Sequence, residues 1–388
     1  MDLIFIIGAG NTQITANPIL NLAIIYLPLA LLILYGQKLQ TWLITNDLSK
    51  TVGRLKEMKD KSRDETIAHI TEGIDNKEET IKRLDSFLEY FTIMPVDLDP
   101  AGVINKLDHI MTSRDMRMKS EIKQLFPDLD ELKANSIENV IEIATSFNFV
   151  YKIVRHFYLV GKKTNNFLLL AQLQMIIPFL MLQADALNKA MATFKKNQPI
   201  GDAIGPMIVG KLMLEHEKHD IAVDTVYAES DILGRKAILV TAKGPAGTVG
   251  QPGNAVQELI NKENPSLLIM IDAALKLEGE KTGEVAEGIG AAIGGIGVDK
   301  FKIEEAATNS NLPVYAIVVK QSLVEAISLM TKEIAESVDT VHDIINRIIE
   351  EIIMSLTSTS NYSIFGDISY FCKIIFLNIA PNSNFMRK

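Results

Sequence analysis

Two aspartates sit in settings that suit proton-transfer chemistry. Asp272 ends the apolar run of Ser266–Ala274, SLLIMIDAA, which follows Asn264-Pro265 and reads as a parallel strand buried on both faces. Open α/β sheets place their ligands at the carboxyl ends of such strands, which makes Asp272 the first candidate. Its alternative role is to cap the turn that follows. Asp202 lies in Gly201-Asp202-Ala203-Ile204-Gly205-Pro206, a glycine turn just ahead of a helix that Pro206 would open. Asp202 could equally be the cap of that helix. Two neighbouring carboxylates do not ionise together easily, so one would keep its proton to polarise a carbonyl while the other takes a proton from water. Which of the two is the acid stays open at this point.

Two glycine-rich loops accompany them. Gly244-Pro245-Ala246-Gly247-Thr248-Val249-Gly250-Gln251-Pro252-Gly253 ends at a helix start, and Gly288 to Gly297, with Gly290, Gly294 and Gly295 inside it, precedes another. Such loops let backbone N–H groups crowd around a carbonyl or an anion, or they are simply long turns. Gly201, Gly205, Gly250, Gln251, Gly253, Gly294, Gly295 and Gly297 are therefore the candidate binding-loop residues, with the N–H groups around Gly250 and Gly295 as a candidate oxyanion site. For metal ions the one comparable cluster is Glu215-His216-Glu217-Lys218-His219-Asp220. His216 and His219, three apart, would share a helix face, but a full ligand set is not spelled out and no cofactor is expected.

These residues need a sheet to carry them, and the texture from residue 198 to 354 supplies one. Ala222–Ala228, Ala237–Thr241, Ser266–Asp272 and Val314–Val319 read as strands. Ala255–Asn261, Lys302–Thr308 and the stretch from Leu323 to about Ile353 read as helices. The alternation implies a three-layer α/β domain with a parallel-rich sheet covered on both faces. Residues 38–197 read instead as amphipathic helices. One opens at Asp75, with Glu78 completing a capping box, and turns Ile81, Leu84, Phe87, Leu88 and Phe91 to one side. Met94-Pro95 stops it, and Asp99-Pro100 starts the next. Arg114, Arg117, Lys119 and Lys123 alternate with Asp115 and Glu121 and read as a solvated helix face. After Ser355 periodicity is lost, and residues 355–388 read as a tail, disordered or translated out of frame, to which no function is assigned.

The chain has 388 residues, 47% hydrophobic, and a formal net charge of -9. That balance argues against nucleic acid as a partner, because phosphate binding needs a local excess of Lys and Arg. Cys372 is the single cysteine, which excludes an intrachain disulfide and a Cys-based metal cage. Gly8 and Gly10 hint at a dinucleotide turn, but Gln13 stands where the third glycine belongs and no βαβ unit follows. From Ile19 to Tyr35 there is no charge, and only Asn21 and Pro28 interrupt the apolar run. With its flanks, residues 17–37, this reads as a retained transmembrane helix. Lys38, Lys50, Arg54, Lys56, Lys59, Lys61 and Arg63 all follow it and no cation precedes it, which places the C-terminal domain in the cytoplasm of a single-pass membrane protein. A second run at 167–183 carries Gln172, Gln174 and Pro178 and reads as a buried or interfacial helix in preference to a second crossing. A homo-oligomer is compatible with the helical region.

The order Gly-Asp-Ala-Ile-Gly-Pro, Val-Gly-Gln-Pro-Gly, Pro-Ser-Leu-Leu-Ile-Met-Ile-Asp-Ala, Gly-Gly-Ile-Gly-Val-Asp-Lys and Leu-Pro-Val-Tyr-Ala-Ile-Val resembles the spore germination protease. That family is an atypical aspartate-dependent endopeptidase that shares its fold with the hydrogenase maturation peptidases. The resemblance covers Pro199–Met330 and implies catalysis by Asp202 and Asp272 on a protein or peptide substrate. The chain departs from the pattern in having Met191–Asn197, MATFKKN, where the family has a hydrophobic strand before its first aspartate. The layout of anchor, helical region and α/β domain is similar to an archaeal membrane-protein family of unknown function. A non-catalytic module that binds a peptide or small ligand is the rival expectation.

Overall fold

The computed structural model describes residues 18–71, 77–89, 102–127, 129–244, 249–293, 297–359 and 374–378. Its helices are α1 (Pro18–Ile70), α2 (Lys77–Leu88), α3 (Val103–Leu125), α4 (Glu131–Thr164), α5 (Phe167–Lys195), α6 (Ile204–Leu212), α7 (Pro252–Glu263), α8 (Val298–Asn309), α9 (Leu323–Ile327) and α10 (Lys332–Thr359). The strands are β1 (His219–Ala222), β2 (Thr225–Ile232), β3 (Arg235–Ala242), β4 (Leu267–Leu275), β5 (Val285–Ile289), β6 (Val314–Gln321) and β7 (Ile374–Asn378). The chain divides into two compact units, Met1–Lys56 with Tyr151–Pro178, and Glu57–Val150 with Phe179–Lys388.

The larger unit contains the sheet, in the order β1-β2-β3-β7-β4-β6-β5. β3, β7, β4 and β6 run parallel, and β1, β2 and β5 are antiparallel additions at the two edges. The alternation of side chains along β4 explains the layering. Leu267, Ile269 and Ile271 join Ile204 and Ile208 of α6 and Val338, Val341 and Ile345 of α10 in one core. Leu268 and Met270 join Val256 and Leu259 of α7 and Ile303 of α8 in the other. The continuous apolar run of β4 thus serves two cores at once, and the sheet is the middle of three layers.

Two strands lie outside the expectations. β5, Val285–Ile289, forms by antiparallel pairing with β6, and its last two residues belong to the stretch read as glycine loop. β7, from the segment read as a functionless tail, lies in the middle of the sheet between β3 and β4. A five-residue strand with no flanking pattern of its own gains its ladder only from those two neighbours. The proposed cap at Asp75, Phe91 and the Pro95 and Pro100 breaks lie outside the described residues.

Within the same unit, Ile70, Leu84, Met118, Ile122, Ile137 and Ile141 form a helical core from α1, α2, α3 and α4, as the spacing on α2 predicts. Two of the four cations read as a solvated face are drawn into the packing, one buried and one partly exposed. Arg114 is buried, with its guanidinium 2.6 Å from Glu142 of α4, and Lys119 pairs with the buried Asp224 just before β2. Arg117 and Lys123 are exposed as expected. Among the described residues, α5 is the helix long and apolar enough to cross a membrane, and only 22% of its apolar window is buried. A buried core helix is therefore excluded for residues 167–183. α1 runs unbroken through the apolar segment at 17–37, whose side chains lie mostly outside those described.

Candidate functional site

Asp272 is the sixth of the nine residues of β4 and is 6% exposed. Its Oδ1 accepts a 2.8 Å hydrogen bond from the backbone N–H of Ala273. Leu377 of β7 stands opposite both Val240 of β3 and Met270 of β4, so Ala242 and Asp272 are level across the sheet. The loop leaving β3 and the carboxylate on β4 therefore share the same carboxyl edge.

Asp202 reaches that edge from a single 3-10 turn, Gly201–Ala203, that runs straight into α6. The turn is laced to the end of α9: Gly201 N–H donates to Ser328 O at 3.0 Å, and Met330 N–H donates to Pro199 O at 3.0 Å. A Cβ on residue 201 would stand 2.3 Å from Glu325 O and 2.6 Å from Gln321 Oε1, which is the reason a glycine precedes the aspartate. Gln321, at the end of β6 and 1% exposed, donates its Nε2–H to Asp202 Oδ1 at 3.2 Å. Its own Oε1 is buried without a hydrogen-bond partner.

This setting holds the Asp202 carboxyl well above the usual carboxylate range. Burial is the main cause and the negative charge of Asp272 adds to it, while the Gln321 hydrogen bond works the other way. The fold has brought the two sequence candidates into electrostatic contact, with the Asp202 carboxyl shifted toward its protonated form. Along β4, Asp272 shares the alternation of Leu268 and Met270, whereas Asp202 arrives from the side of α6. They thus lie toward opposite faces of the sheet edge, within electrostatic reach of each other.

The glycine loops behave differently. Gln251 N–H donates to Thr225 Oγ1 at 2.9 Å and Gly253 N–H donates to Asp299 Oδ1 at 2.9 Å, so these donors are occupied within the fold. Gly250, at φ 70, is needed for close approach, since a Cβ there would lie 2.4 Å from Thr225 Oγ1. Gly205 is a buried residue of α6 and Gly297 is the left-handed N-cap of α8. Gly294 and Gly295 lie outside the described residues. The expected convergence of loop N–H groups is thus corrected at Gln251 and Gly253, which stitch α7 to its neighbours.

The histidines are corrected as well. His216 sits in the turn after α6, 2.9 Å from Ser230 Oγ, and His219 begins β1, so the two do not share a helix face. No group of three or more potential metal ligands occurs among the described residues. Sequence reasoning missed Gln321, although an amide closing the strand next to Asp272 was the available signal.

No curated protein matches the chain. Residues 22–197 match the N-terminal domain, and residues 200–358 the C-terminal domain, of a family of unknown function, DUF1512. The boundary between the two matches falls just before the Asp202 turn. The chain belongs to the DUF1512 family.

Proposed function

We propose that the protein is a membrane-anchored hydrolase of peptidase type that works through Asp202 and Asp272, with its α/β domain in the cytoplasm. The observation that carries the reading is the unequal setting of the pair. Burial and the charge of Asp272 push the Asp202 carboxyl well above the usual carboxylate range, the direction that suits a general acid facing a carbonyl. Asp272, with one oxygen on the Ala273 N–H, is the partner that takes a proton from water. In this scheme water adds to the carbonyl carbon as its proton passes to Asp272 and Asp202 protonates the carbonyl oxygen; the tetrahedral diol then collapses, the C–N bond breaking as Asp272 gives its proton to the leaving amine nitrogen and one hydroxyl returns a proton to Asp202. Gln321 holds Asp202 in place. The resemblance to the spore germination protease supports the same two residues and a protein or peptide substrate.

The test is hydrolysis of a proteome-derived peptide library by the full chain in detergent. Asp202→Asn and Asp272→Asn should each lower the rate by about 10²–10⁴-fold, the usual contribution of an acid or base. Hydrolysis undiminished in both variants, or absent from the wild type, would overturn the proposal. Two observations favour a second reading, a module that binds without cleaving: the occupied N–H groups of Gln251 and Gly253, and the approach of the two carboxylates from opposite faces. Retention of peptides by the wild type with no new termini would decide for it.

A further inference from the structure

The smaller unit has a surface that the hydrolase reading leaves unused. Residues 151–178 contain Lys152, Arg155, Lys162 and Lys163 and not one Asp or Glu, in a chain of net charge -9. They form the end of α4 and the start of α5, joined by a tight turn. Asn165 adopts the left-handed conformation at φ 49, and Asn166 Oδ1 accepts from Leu169 N–H at 3.0 Å to cap α5. Gly161 lets the two helices close, since a Cβ there would meet Leu170 Cδ2 at 2.6 Å. Val154, Tyr158, Leu170 and Leu173 are buried. The outer side is apolar too: Ile153, Phe157 and Leu159 on α4 and Leu168, Met175 and Ile176 on α5 are exposed, Met175 at 81%.

We propose that this hairpin docks on the headgroup layer of an anionic lipid bilayer. Exposed large apolar side chains beside Arg155, Lys162 and Lys163, in a stretch without a carboxylate of its own, are the pattern of an element that lies in a membrane interface, the apolar groups entering the acyl boundary and the cations meeting anionic headgroups. The α4 arm does not insert, because its four cations are spread from position 152 to 163 and would enter hydrocarbon with the backbone. On α1, in the same unit, Tyr35 and Trp42 are exposed and the Lys38 ammonium lies 5.6 Å from the Tyr35 ring, the residue types that gather at headgroup level. The surface goes beyond the single anchor of the hydrolase reading and does not depend on any hydrolysis.

The experiment uses the full chain with Cys372→Ser and one added cysteine, Met175→Cys, carrying an environment-sensitive fluorophore. It is reconstituted into vesicles of phosphatidylcholine alone or of phosphatidylcholine with phosphatidylglycerol, doped with nitroxide lipids at headgroup or mid-chain depth. A label at Leu214→Cys, in the other unit, is the control. Expected is quenching at headgroup depth only, in the phosphatidylglycerol vesicles only. It should be lost in 1 M salt, where the screening length falls to about 3 Å, and in Lys162→Glu/Lys163→Glu. Mid-chain quenching in both vesicle types would mean that α5 crosses the bilayer and would overturn the proposal. A label that stays in water in both, or a chain that fails to float with either vesicle, overturns it too, the former leaving a protein as the partner for this face.

Discussion

Asp202 and Asp299 are both half-buried aspartates beside a glycine turn and a helix start, and in both desolvation of the carboxylate pushes the pKa above the usual range. The surroundings of Asp299 are otherwise mostly complementary, with the Asp108 carboxylate alone opposing them. Its Oδ1 takes the Gly253 N–H, and Lys302 beside it lowers its pKa while donating to Asn254 Oδ1 at 2.7 Å and pairing with Asp108 of α3 at 3.0 Å. Asp202 instead faces a second carboxylate and an amide whose oxygen has no partner. One carboxylate has been matched to donors and fastens helices together. The other has been left mismatched, which is the state a group must be in to move a proton.

The comparison breaks most visibly in activity. Asp202→Asn should lose hydrolysis by the factor of about 10²–10⁴ given above, whereas Asp299→Asn should leave the rate per folded molecule unchanged. An equal loss in both would remove the distinction. Stability should show the reverse sensitivity: Asp299→Ala strands the Gly253 N–H and should cost about 1–3 kcal/mol in denaturant unfolding. Gly201→Ala tests the scaffold of the mismatched site. Its Cβ would press on the Glu325 carbonyl, and a loss of about 1–3 kcal/mol is expected.

Smaller effects follow from protonation. The folded-state pKa of Asp202 is above its unfolded value, so the folded state holds the extra proton between the two. Stability should therefore fall as pH rises from the ordinary carboxylate range toward the folded pKa, and Asp202→Asn should flatten that slope. Gln321→Leu removes the hydrogen bond that lowers this pKa, so the alkaline limb of the pH–rate profile should move upward. The smallest change expected is at Glu138 of α4. Burial first, then Glu142, raise it to about 8, with Asp115 and Asp224 adding and Lys119 opposing. The stability decline between the ordinary glutamate range and that value should disappear in Glu138→Gln, as read from unfolding midpoints against pH.

What was legible in the sequence was whatever local pattern specifies. The apolar run ending at Asp272 named a doubly buried strand because only burial on both faces tolerates Leu267–Ile271 without polar alternation. The Asp202 turn was legible because glycine, aspartate and proline each carry a backbone requirement. Its neighbours were not. Gln321 lies 119 residues from Asp202 and carries no motif of its own. His216 and His219, close in sequence, were separated by a turn into a strand that pairing with β2 stabilises. Lys119 and Arg114 looked like solvated cations until α4 and the Asp224 turn enclosed them.

The sequence by itself determined the three-layer α/β plan of the C-terminal part, the helical character of the rest and the identity of the two aspartates. Only the tertiary structure decided that these two influence each other electrostatically, that Gln251 and Gly253 spend their N–H groups on Thr225 and Asp299, and that residues 374–378 complete the sheet. The physical reason is the same in each case. Periodicity and turn chemistry act over a few bonds, whereas burial, charge proximity and ladder pairing depend on what distant segments place alongside.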